Sequence, residues 1–128
     1  MTLSADDKIE IQELAARYAL TMDENDLTGW MDTWAEEGVW QGPRGTYAGH
    51  VELKNLLSDL GDRIKNKRHV ITNPIVQGTQ TLATLTCYML IMEAKTCGAI
   101  VGSAIYRDEL RKVDGRWKFT RRTIKIDS

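Results

Sequence analysis

"GSAIYRDELRKVDGRWKFTRR", residues 102–122, decides how the rest of the chain is read. Asp114 and Gly115 separate two runs rich in β-branched and aromatic residues. A two-residue type I′ turn needs positive φ at both central positions, and Asp-Gly tolerates this best, so the stretch predicts an antiparallel hairpin. Working outward, "HVITNPIVQ" (69–77), "TLATLTCYMLIME" (81–93), "GAIVGSAIYRDELRKV" (98–113) and "RWKFTRRTIKI" (116–126) have the composition of strands. Upstream the periodicity is helical. Ser4 and the acidic "ADDK" precede Ile11, Leu14, Ala15, Tyr18 and Met22, which predicts an amphipathic helix over 5–22 stopping near Asp23 to Asn25. A short second helix is expected from Leu27 to Trp34, with Trp30, Met31 and Trp34 on one side, and "EEGVWQG" as a turn entering a brief strand. A third runs from His50 to about Asp62, with Gly61 as its breaker. Helices first and antiparallel strands afterwards predict an α+β fold, with the sheet curling around the N-terminal helices.

The totals narrow the function classes. At 128 residues the chain is expected to form one domain, 1–128, able to bury a core without disulfides or a structural metal. With 42% hydrophobic residues, 27% charged residues and net charge −1, it has neither the composition of a disordered chain nor the broad basic face of a nucleic-acid binder. No run approaches the roughly 18 apolar residues of a membrane span, and "MTLSADDK" does not resemble a signal peptide. The expected location is cytoplasmic, with no membrane and no nucleic-acid partner. Cys87 and Cys97 lack CxxC spacing and are read as buried free thiols. With no H-x-x-x-H and no phosphate-binding G-x-x-x-x-G-K-[ST], no metal and no cofactor are expected, and "GPRG" at 42–45 is read as a turn.

"IQELAARYALTMDENDLTGWMDTWAEEGVW" at the front and "GSAIYRDELRKVDGRWKFTRR" at the back carry a further signal. E-L-x-x-R-Y, an aspartate at the helix end, W-x-x-x-W, G-V-W, Y-x-G and the closing Y-x-D-x-L…D-G-x-W hairpin resemble the SnoaL-like branch of the NTF2-like superfamily over nearly the whole chain. The resemblance implies a cone, in which a strongly curved, mostly antiparallel mixed sheet wraps the long helix and leaves an apolar cavity at one end. It leaves activity open, since the superfamily holds lyases, isomerases, cyclases and non-catalytic subunits. Its bile-acid dehydratase, hexachlorocyclohexane dehydrochlorinase and scytalone dehydratase members share an aspartate at the end of the first helix and a histidine early in the sheet. Asp23 and His69 stand in those places, with Tyr18 five residues before Asp23. Arg122, or its neighbour Arg121, falls where the dehydrochlorinase has an arginine. A shift of one residue would put it on the other face of the sheet.

Elimination next to an acidified C–H needs a base that works near neutral pH, and an imidazole held in one tautomer suits it. His69 is the candidate base, and Asp23 the carboxylate that fixes its tautomer. Asp23 also opposes the helix macrodipole at a C-terminus, which a partner elsewhere would offset. Ala16 and Ala19 are expected to leave room beside it. Singly, His69 reads as a satisfied strand-end histidine and Asp23 as a solvated helix end; together, in the two places the resemblance marks, they read as the dyad. Tyr18 is a proton donor or a core tyrosine, and Arg122 holds a carboxylate, a leaving group or an enolate oxygen, or is a solvated charge. Trp30, Trp34 and Trp40 line the cavity or fill the core, and His50 is expected to be exposed. Three functions follow: a cofactor-independent lyase of dehydratase or dehydrohalogenase type acting on a small apolar cyclic or steroid-like molecule; an isomerase or polyketide-type cyclase using the same base; or a non-catalytic ligand-binding or dioxygenase-subunit-like module. An apolar outer sheet face carrying Ile105, Leu110 and Trp117, or their alternates, predicts a homo-oligomer, trimer or dimer.

Overall fold

The computed structural model describes residues 2–96 and 98–127; Cys97, expected to be a buried thiol, lies outside them. Helix α1 (Ala5–Asp23) begins at a capping box, in which the Ser4 hydroxyl accepts from the Asp7 N–H and the Asp7 carboxylate accepts from the Ser4 N–H. Its buried stripe, Ile11, Leu14, Ala15, Tyr18, Ala19 and Met22, follows the helical repeat and makes α1 the axis of the molecule. Helix α2 (Leu27–Met31) stops short of the expected Trp34, because chain pairing begins there: Trp34 opens strand β1 (Trp34–Gly42), opposite Phe119. Strand β2 (Gly45–Ala48), helix α3 (Gly49–Leu60) and a 3-10 turn (Gly61–Arg63) follow.

Strands β3 (Lys67–Gly78), β4 (Leu82–Glu93), β5 (Ile100–Val113) and β6 (Arg116–Ile126) complete one open six-stranded sheet, ordered β2-β1-β6-β5-β4-β3. Only β1 and β6 are parallel, so the sheet is mixed and mostly antiparallel. Asp114 (φ 51) and Gly115 (φ 80) form the β5–β6 turn with both residues left-handed, setting Val113 opposite Arg116. The register slips between Trp34 and Val39, between Thr72 and Ile75, and between Glu109 and Leu110. Such bulges add twist and bend strands. The bent sheet packs α1 against β3 and β6, and α3 against β1 and β2.

Alternation sorts the side chains. Ala83, Leu85, Cys87 and Met89 of β4 face α1, while Thr84, Thr86 and Tyr88 face away. Burial pushes the Cys87 thiol up to about 11, which suits an inert packed cysteine. Leu110 and Trp117 were expected on the outer face and instead are buried inside, the Trp117 indole N–H donating to Asp7. Ile105 does point outward, across from Tyr88 and beside the Val70–Leu90 pair, so an apolar outer patch exists but lies nearer the β3–β4 edge. No helix among the described residues is long and apolar enough to cross a membrane.

Candidate active site

Two sequence-distant elements meet at the end of α1. The Asp23 carboxylate accepts from the His69 backbone N–H (2.9 Å) and from His69 Nδ1 (2.6 Å). Both side chains are nearly covered, at 6% exposure for His69 and 9% for Asp23. The last turn of α1 carries no basic residue, so these two donors from β3 are what offset a negative charge at a helix C-terminus. With Nδ1 engaged by the carboxylate, Nε2 is left as the basic nitrogen of a neutral ring. Of the small residues expected to make room here, Ala19 is buried but Ala16 is exposed.

His69 lines a cavity of about 300 Å³, a size near the lower end for small-molecule pockets. Met22, Met89, Ile91, Ile124 and Trp40 make its walls apolar, and the exposed Pro43, Arg44 and Arg63 form its rim. Tyr18 and Tyr106 also line it. The Tyr18 hydroxyl accepts from the Trp40 indole N–H at 3.1 Å, which leaves its own proton for an acceptor in the cavity. Burial pushes the Tyr18 phenol up to about 12, with Arg122 working against the rise, so it stays protonated throughout the neutral range. Burial likewise holds Tyr106 well above the usual phenol range.

Arg122 is the inward-facing arginine, whereas Arg121 points outward to Gln41 (2.6 Å). Arg122 is fully buried behind the cavity wall rather than on it. It makes a bidentate pair with Asp108, at 2.8 and 2.7 Å, and its guanidinium carbon lies 4.3, 4.1 and 4.4 Å from the ring centres of Tyr18, Tyr106 and Phe119. Burial alone would lower its pKa, but Asp108 and the two tyrosines outweigh it and Arg122 remains a cation. Direct contact with a substrate is therefore closed to it; its charge reaches the cavity through the two phenols.

The tryptophans divide in the same way. Trp40 lines the cavity, but Trp30 and Trp34 pack on Tyr18 with ring centres 5.5 and 6.1 Å away, inside the closed core. Nothing in the structure explains why both of their indole N–H groups are buried without a partner. His50 is exposed, its ring 3.4 Å from the Trp34 carbonyl, and takes no part. Sequence reasoning missed Tyr106, Asp108, Arg44 and Arg63. Once the hairpin is assumed, the alternation from Leu110 through Asp108 to Tyr106 is a signal for the first two; the rim arginines had none. Among the described residues, no three His, Cys, Asp or Glu side chains cluster as a metal-binding set.

A helix inside a bent open sheet, with an apolar cavity at its end, is the NTF2-like or cystatin-like arrangement. The chain belongs to the SnoaL-like domain family, whose model matches residues 4–123. It is similar to a protein of unknown function with a cystatin-like fold from Nostoc punctiforme PCC 73102, at 35% identity and TM-score 0.95 over 99% of this chain and 96% of that one. A function-unknown protein from Mycobacterium tuberculosis is similar at 30% identity and TM-score 0.83, over 93% of this chain and 70% of that one. A Catenulispora acidiphila protein in complex with S-DNPA shares the fold, with TM-score 0.84 and 24% identity over 97% and 96% of the two chains. No curated protein matches the sequence.

Proposed function

We propose that this protein is a cofactor-independent lyase, of dehydratase or dehydrohalogenase type, acting on a small apolar cyclic or steroid-like molecule. The observation that carries the reading is the 2.6 Å contact between His69 Nδ1 and Asp23 on the wall of an apolar cavity. His69 Nε2 takes the proton from a carbon next to a carbonyl, and Asp23 holds the tautomer and stabilises the imidazolium that forms. Tyr18 and Tyr106 donate hydrogen bonds to the oxygen on which charge grows, with the Arg122 cation behind them. A phenol held near 12 donates a hydrogen bond readily but gives up its proton reluctantly. The proton that leaves with a departing hydroxyl therefore comes from the imidazolium, which returns His69 to its starting state; a departing halide needs none, and the imidazolium then releases its proton to water.

The same donors favour a second reading, an isomerase or polyketide-type cyclase, because two phenols without a stronger acid suit an enolate that loses no group. Product mass separates the two. Incubation with β-hydroxy and β-halo carbonyl compounds should yield products lighter by water or by hydrogen halide; a rearranged product of unchanged mass in ordinary water, with deuterium taken up when the reaction is run in heavy water, would mean isomerisation. His69→Ala and Asp23→Asn should each reduce turnover, and full activity in either would remove the pair from the mechanism. A non-catalytic ligand-binding or assembly module is what remains if no carbonyl compound is turned over or exchanged.

The protein's partner is then a small apolar molecule rather than nucleic acid, and its proposed location is cytoplasmic. The outer patch of Val70, Tyr88, Leu90 and Ile105 supports a homo-oligomer, trimer or dimer. Light scattering should give a multiple of the chain mass, reduced by Tyr88→Lys; a single-chain mass at micromolar concentration would rule it out.

A further inference from the structure

Among the described residues, Arg44 and Arg63 are the only formally charged side chains lining the cavity. They come from separate elements, the β1–β2 turn and the 3-10 turn after α3, yet converge on one rim. Neither makes an ion pair or a side-chain hydrogen bond among the described residues, whereas Arg111, Arg116 and Arg122 are paired with Glu37, Asp32 and Asp108. Among the described residues no acidic side chain lines the cavity to compensate them; Asp23 lies behind His69 and is occupied by it. An apolar chamber with two unpaired guanidinium groups at its mouth and a base on its wall has a polarity of its own.

We infer that the cavity binds amphiphilic anions: an apolar body enters toward His69, Tyr18 and Tyr106, while a carboxylate or other oxyanion stays at the rim between Arg44 and Arg63. This rests on the cavity being the substrate site proposed above, and it adds what that reading lacks, a charge and an orientation for the substrate. Guanidinium forks match carboxylate and phosphate oxygens bidentately. Apolar walls on one side strengthen that attraction relative to open water. The reacting carbon is then the one that reaches the imidazole when the anion is held at the mouth, so the arginines determine which C–H is presented.

Two dyes that differ by one group test this. 8-Anilinonaphthalene-1-sulfonate carries a sulfonate; N-phenyl-1-naphthylamine is the same skeleton without it. In fluorescence titrations at low salt, the sulfonate should bind on the order of 10-fold tighter, an advantage that fades as salt screens the rim. Arg44→Gln with Arg63→Gln should bring the two affinities together while leaving the neutral dye unchanged; both residues are exposed, so folding is not at stake. Ile124→Trp, which fills the cavity, should abolish binding of both. Displacement of bound dye by decanoate and by decyl phosphate then tells a carboxylate from a phosphate. Equal affinities in the parent, an advantage that survives the double substitution, binding that survives Ile124→Trp, or no binding of either dye would each overturn the inference. None of these outcomes decides whether His69 is the base, which is read separately from turnover by His69→Ala.

Discussion

Two acid–base pairs lie on the inner face of the sheet, and they have opposite surroundings. Asp108 and Arg122 are neighbours across the β5–β6 hairpin, wholly buried, and enclosed by Tyr18, Tyr106 and Phe119. Asp23 and His69 come from elements 46 residues apart, and their imidazole lines a cavity. In the first pair every strong donor but Nη1 is used internally, and the charge can act only through neighbouring rings. In the second, one ring nitrogen is consumed by the carboxylate and the other is left over. A buried ion pair becomes a candidate for chemistry when it leaves an atom unspent and open to a ligand, and the depth of burial alone does not decide this.

The largest expected effect falls on the sealed pair. Arg122→Met strands the Asp108 carboxylate among aromatic rings and should cost about 3–5 kcal/mol in denaturant unfolding. Arg122→Met combined with Asp108→Leu should recover most of that loss, since no lone charge is then buried. At the open pair, Asp23→Asn should cost less, about 1–2 kcal/mol for weakened charge-assisted hydrogen bonds next to a cavity that water can enter. Its effect on turnover should instead be large, on the order of 10²–10⁴-fold, as for His69→Ala. If Asp23→Asn unfolds the protein as severely as Arg122→Met, the distinction between a structural and a functional pair collapses.

A third carboxylate sharpens the contrast at the opposite end of α1. Hydrogen bonds from the Trp117 indole and from Lys112 hold Asp7 well below its ordinary 3.8, a carboxylate used entirely for structure. Because its folded-state pKa is depressed, its stabilisation is present above about 3.8 and is lost as pH falls below that toward the folded value. Asp7→Asn should therefore lower the unfolding temperature near neutral pH, and the gap from the parent should narrow below the ordinary carboxylate range. A gap independent of pH would assign the loss to packing instead. This is the smallest of the expected effects.

Much of this arrangement was legible beforehand because it rests on local chemistry. Ser4 and Asp7 start α1, Asp114-Gly115 turns the hairpin, and alternation assigns the faces of β4. The bulges were not legible. From Val113 opposite Arg116, an uninterrupted hairpin register would set Asp108 opposite Arg121; the extra residue at Thr120 sets it opposite Arg122 instead. The one-residue ambiguity between the two arginines was thus a question about a bulge, which has no sequence signature here. Trp34 was misplaced on a helix because its four-residue spacing from Trp30 satisfies the helical repeat, although β6 recruits it into the sheet. Leu110 and Trp117 are apolar and β-prone whichever way they face, and only the tertiary register turned them inward. Arg44 and Arg63 meet at one rim only after the sheet has bent, so no spacing announces them.

The proposed mechanism depends on one proton. If Asp23 holds Nδ1–H and leaves Nε2 as the base, long-range ¹⁵N–¹H correlation spectra of the neutral His69 ring should show the Nδ1–H tautomer in the parent, with that preference weakened in Asp23→Asn. A predominant Nε2–H tautomer in the parent would mean that the nitrogen facing the cavity already carries a proton, and His69 could not then be the base.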